Sequence, residues 1–237
     1  MESEKRPLAW LGILIAVLSF TLFQAAFITL GSAIQWPDSL DYPPERIFPL
    51  LIEKASAVYS GYYMYLMYSL LLIPIVQISG GLFTDRGTFW SVQLMKVAVG
   101  FAVASAVLRA LGIVRWQYAM MYLAGVHEQP EASAAAIQTT EIVFQTLNLY
   151  AGKVGEHLGV GLTGSLMLAF YGLALLGADL NRKWLGWLSL IVATLIIPLE
   201  DFFSFIPDFY ITFSTTVFLL WILVVAGALF RLQSREL

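Results

Sequence analysis

The residues best suited to chemistry gather in Lys153-Val-Gly-Glu156-His157, at the mouth of a long apolar stretch rich in glycine. A carboxylate beside an imidazole can hold a cation, relay protons or contact a polar ligand. Lys153, three residues before Glu156 and four before His157, shares their helical face and can neutralise the carboxylate. The plainer reading makes the trio a neutralised cluster at headgroup level, where a charge costs less than in mid-membrane. Arg109 either snorkels to the outer surface or pairs with Glu156 or Glu200 inside a bundle. Glu200 and Asp201, just after Pro198, could bind a divalent cation or act as acid and base, against the bland alternative of an acidic loop after a helix stop. Arg109, Lys153, Glu156, His157, Glu200 and Asp201 together make a candidate polar ligand or ion site. No residue is assigned to catalysis, to a cofactor or to a metal. His127, in the loop GVHEQPE, reads as solvent-exposed.

The missing motifs exclude more than the present ones suggest. With no cysteine there are no disulfides, thiolate nucleophiles or cysteine-ligated metal centres. The two histidines are not placed across helices for a bis-histidine haem. There is no HExxH pair, GxSxG elbow, P-loop or arginine-rich voltage sensor. The sequence therefore implies no cofactor and leaves enzymatic activity uncertain, more probable as absent than present. A net charge of −3 with no basic run gives no reason to expect nucleic acid.

Composition sets the class of protein. Of 237 residues, 59% are hydrophobic and 12% charged, with a mean hydropathy of +0.78. A soluble domain has about 45–50% apolar and about 25% charged residues. The excess gathers in six uncharged or nearly uncharged runs, and a membrane span needs about 20 such residues. They predict an all-α polytopic membrane bundle, one transmembrane domain over 1–237. The spans fall near 8–30, 58–78, 90–113, 158–178, 184–199 and 211–230. The first run is too long for a signal-peptide core of about 7–15 residues, so it reads as a retained helix with Pro7 in its first turn. Pro74 should kink the second, Lys96 reads as a snorkelling inner anchor of the third, and the fifth is short for a span.

With the N-terminus inside, eight Lys and Arg residues fall on the inner segments and five on the outer. That bias places both termini in the cytoplasm. The outer segments carry the irregular structure: WPDSLDYPP cannot be a regular helix, and ERIFPLLIEKASA reads as lying along the surface. EDFFSFIPDFY reads as an aromatic interfacial belt around Asp201 and Asp208. If the fourth helix begins near Thr139, then Glu141, Gln145, Asn148, Gly152, Glu156, Gly159 and Thr163 form one polar and small stripe. Its glycines leave room for a neighbouring helix to approach closely.

The segment Asn181-Arg182-Lys183-Trp184-Leu185-Gly186-Trp187-Leu188-Ser189-Leu190, preceded by Gly155-Glu156-His157-Leu158-Gly159…Gly164…Leu173-Ala174-Leu175, resembles a family of small bacterial six-helix membrane proteins that forms a domain of unknown function. The resemblance implies a six-helix bundle in a bacterial inner membrane and brings no substrate, cofactor or catalytic residue. Three functions then stand in order. The first is an accessory or assembly subunit of a membrane complex. It would contact the bilayer and other subunits, or further copies of itself, through glycine-rich helix faces. The second is a small transporter or ligand-binding protein with an outward-facing polar cavity. The third is an intramembrane lipid-modifying enzyme. The first two separate on whether the charged residues converge in space.

Overall fold

Inside hydrocarbon a chain satisfies its backbone polar groups only by closing them on itself, so long uncharged runs become helices. The structure, a computed structural model, describes residues 2–178, 182–198 and 210–234, and every regular element among them is helical. The order is α1 (Glu2–Ile34), a 3₁₀ turn (Asp38–Asp41), α2 (Pro44–Glu53), α3 (Ala55–Thr84), α4 (Phe89–Gln117), α5 (Ala119–His127) and α6 (Ala134–Lys153). A π-helical segment (Val154–Thr163), α7 (Gly164–Leu176), α8 (Lys183–Leu195) and α9 (Tyr210–Ser234) complete it.

The protein is an all-α bundle. Among the described residues, five helical stretches are long and apolar enough to cross a membrane: Lys5–Ile34, Ala55–Thr84, Phe89–His127, Ala134–Leu176 and Phe213–Leu232. The fifth expected span is α8, with 13 residues. At 1.5 Å per residue it reaches about 20 Å, short of a hydrocarbon core of about 30 Å. Several boundaries move. Helix α1 starts before Pro7, which therefore lies within it, and α3 stays helical through Pro74. Helix α4 runs past Ile113 to Gln117, and the fourth span begins at Ala134 rather than Leu158. There Ser133 caps α6 by accepting a hydrogen bond from the Ala136 amide at 3.2 Å. The segment EDFFSFIPDFY lies outside the described residues up to Phe209.

The chain divides into two compact units, residues 1–20, 70–107 and 157–237 in the first and 21–69 and 108–156 in the second. In the first unit α7 and α8 approach so closely that a Cβ on Gly172 would stand 2.7 Å from the Gly186 carbonyl oxygen. Small residues at such crossings let helix backbones touch where no hydrophobic drive separates protein from lipid. Two polar pairs lie buried in this core: Tyr171 donates to Ser79 Oγ at 2.9 Å, and Trp221 Nε1 donates to Ser189 Oγ at 2.9 Å. Arg182 caps the end of α3 through the Leu82 and Phe83 carbonyls, at 3.1 and 2.7 Å. Lys5 is paired with Asp85. Lys96 is exposed on α4, as a snorkelling anchor would be.

The second unit encloses its own core, with Leu30, Ile34, Ile47, Phe48, Leu51, Tyr62, Trp116, Met120 and Phe144 all buried. This corrects the reading of ERIFPLLIEKASA as a surface segment. Helix α2 turns Ile47, Phe48 and Leu51 inward and packs against α5 and α6. Its apolar residues at spacings of one, three and four make a buried stripe. His127 is likewise not solvent-exposed, for its side chain is 12% exposed. It closes the end of α5 onto α6, with Nδ1 2.8 Å from Glu128 and Nε2 3.3 Å from Glu141. Its ring meets Phe48 edge-on at 5.0 Å.

Candidate functional site

Helix α3 places Tyr62, Tyr65 and Tyr68 three residues apart, so the three rings run down one face. Helix α4 carries Arg109, Gly112 and Arg115 at the same spacing, and α6 with the π-helical segment that continues it brings Asn148, Gly152 and Glu156 at spacings of four. These stripes meet in the second unit. Gly112 and Gly155 touch where α4 crosses the end of α6, and with no side chain between the helices the flanking polar groups come together.

Arg115 is 8% exposed and is held from three sides. Its Nη1 donates to the Gly112 carbonyl at 2.7 Å and its Nε to Asn148 Oδ1 at 3.3 Å. Asn148 in turn donates to the Leu40 carbonyl at 2.7 Å, which ties the guanidinium to the 3₁₀ turn. The remaining nitrogen, Nη2, faces Glu156 Oε1 at 3.9 Å. That is an ion pair but too long for a hydrogen bond. Arg109 is 4% exposed and reaches the Tyr68 hydroxyl at 3.5 Å. The charges of Arg109, Arg115 and Glu156 all act on the Tyr65 hydroxyl.

A second layer lies under this one. Tyr62 and Trp116 stack with ring planes 5° apart and centroids 5.7 Å apart. Both are 1% exposed, and among the described residues neither the Tyr62 hydroxyl nor Trp116 Nε1 has a hydrogen-bond partner. The fields of Arg115 and Glu156 reach the Tyr62 hydroxyl.

Of the six residues singled out in the sequence, Arg109 and Glu156 belong to this cluster. Arg109 is buried and does not snorkel. Lys153 lies exposed, and His157 is buried in the other compact unit. Glu200 and Asp201 lie outside the described residues. Arg115, Asn148 and the tyrosines were missed as site residues. Arg115 follows the apolar run that ends at Ile113, where a charge reads as part of an outer loop, although its spacing from Arg109 through Gly112 is legible. The opening stretch from Val154 to Thr163 turns out to be π-helical. Thr163 Oγ1 reaches back five residues to the Leu158 carbonyl at 2.7 Å. Such segments are rare and concentrate at functional sites.

No protein-family model, curated protein or solved structure matches the chain.

Proposed function

We propose that this is a small membrane protein that binds a polar ligand within its helical bundle, as a transporter or a ligand-binding protein. The observation that carries the reading is the convergence of Arg109, Arg115 and Glu156 with the tyrosine face of α3. A buried arginine on a spanning helix is costly, by an amount that reaches about 2.5–3.5 kcal/mol at a helix centre on insertion scales. Apolar side chains of similar volume fill such a space at no comparable cost, so a purely structural cluster is the dearer solution.

The accessory-subunit reading ranked first from the sequence, on glycine faces open to a partner. Several of those glycines are occupied within the chain: Gly152 lies against Arg115, Gly155 against Gly112, and Gly161 against Pro198. The charge bias of the loops supports cytoplasmic termini, and a bacterial inner membrane is what the resemblance described above implies.

The test is intact-particle mass spectrometry of the protein released from mild detergent. A retained small molecule or lipid, lost on Arg115→Met, is the expected result. Partner subunits at fixed stoichiometry with no retained ligand would overturn the proposal in favour of an accessory role.

A further inference from the structure

We infer that the ligand is an anion, a small carboxylate or a phosphate group, that binds Arg115 and competes with Glu156 for it. This deepens the site proposed above and rests on it. The gap between Arg115 and Glu156 is the starting point. Nη2 sits 3.9 Å from Oε1 while the other guanidinium nitrogens make true hydrogen bonds. Asn148 and Gly112 thus fix the guanidinium plane and leave one edge turned toward a carboxylate that does not close on it. Glu156 is 36% exposed against 8% for Arg115, so the carboxylate has room to withdraw toward solvent.

The buried layer points the same way. Trp116 Nε1 is a donor and nothing else, and the Tyr62 hydroxyl is a good donor to an anion. Both are buried without a partner beside Arg115, and the Arg115 guanidinium lies 5.5 Å from the Trp116 ring. Unmet donors around a fixed guanidinium call for acceptors, and a planar carboxylate or a phosphate supplies two or more. Guanidinium is also the side chain that recognises these anions by paired donors rather than as a point charge.

The phosphate can come from solution or from a lipid headgroup, and the experiment separates them. Delipidated full-length protein in detergent is titrated calorimetrically with inorganic phosphate and with acetate. In parallel, protein reconstituted in vesicles of phosphatidylcholine and phosphatidylglycerol is examined by intact-particle mass spectrometry for retained lipid. Saturable binding of a free anion assigns a soluble ligand. Retained phosphatidylglycerol without free-anion binding assigns a headgroup.

Glu156→Gln removes the internal competitor and is expected to bind the anion about two- to fivefold tighter, the worth of one partly exposed ion pair. Arg115→Met is expected to lose binding, and Arg115→Lys to weaken it at least tenfold, because one donor point replaces a fork. The melting temperature of each variant identifies one that has merely failed to fold, and Glu156→Gln then decides alone. Binding that weakens in Glu156→Gln, or a retained cation or neutral molecule, overturns the anion assignment and leaves the ligand site standing. No retained ligand in either arm overturns both.

Discussion

Gly112 and Gly155 meet backbone to backbone: a Cβ on Gly112 would stand 2.7 Å from the Gly155 Cα, and one on Gly155 would stand 3.0 Å from the Gly112 Cα. Real Cβ atoms do not approach backbone so closely, so any side chain here pushes α4 away from α6. Gly112→Ala is expected to cost about 1–3 kcal/mol, as overpacking does. Gly100→Ala, on the same helix but with nothing within 4 Å, gains helix propensity and should be neutral or slightly stabilising. Thermal unfolding of the two variants in detergent checks the contrast, and equal melting temperatures would refute the crossing.

Asn148 serves Arg115 and Leu40 at once, accepting from one and donating to the other. Asn148→Ala abandons both bonds, one of them charge-assisted, and is expected to cost about 2–3 kcal/mol. Asn148→Asp keeps the acceptor for the guanidinium and loses only the donor to the Leu40 carbonyl. It should lie between wild type and Asn148→Ala in an unfolding series. An aspartate variant weaker than the alanine one would sink the argument.

His127 joins the end of α5 to α6 and buttresses Phe48 of α2. His127→Ala removes two polar contacts and an aromatic edge, and about 1–3 kcal/mol should go with them. The loss should be local to the second unit. Hydrogen exchange is therefore expected to quicken in α2, α5 and the start of α6 while Tyr171 and Trp221 keep their protection. Uniform acceleration would count against a separable second unit.

Trp221 and Ser189 form a matched pair in the first unit, and Ser189 passes its own proton to the Leu185 carbonyl at 2.8 Å. Ser189→Ala leaves the indole nitrogen buried without an acceptor. A double-mutant cycle with Trp221→Phe is expected to give a coupling of about 0.5–2 kcal/mol, in the range of hydrogen bonds between helices in membranes. A coupling near zero would mean the two residues merely pack.

The bundle was legible because apolar run length answers to bilayer thickness, a constraint acting on each helix separately. The stripe Asn148, Gly152, Glu156 was legible too, since helical spacing alone aligns it. What meets that stripe was not. Arg115 lies past the end of its apolar run, and charge at a run's end looks the same whether it faces water or a carboxylate. The burial of α2 escaped for a related reason. An amphipathic ten-residue helix fits a membrane surface and a protein core equally well, and only tertiary contacts choose between them. The π geometry has no propensity signal beyond a high density of glycine.

The partners of Arg115 outside its own helix, Asn148 and Glu156, are both translated after it. A ribosome that has delivered α4 has therefore released a cation whose counter-charge is still some forty residues from synthesis. A cation without its counter-charge opposes membrane entry, by an amount that reaches about 2.5–3.5 kcal/mol at a helix centre on insertion scales. Helix α4 is thus expected to linger beside the insertion machinery until α6 arrives, so biogenesis of the two is a single event although α5 separates them along the chain.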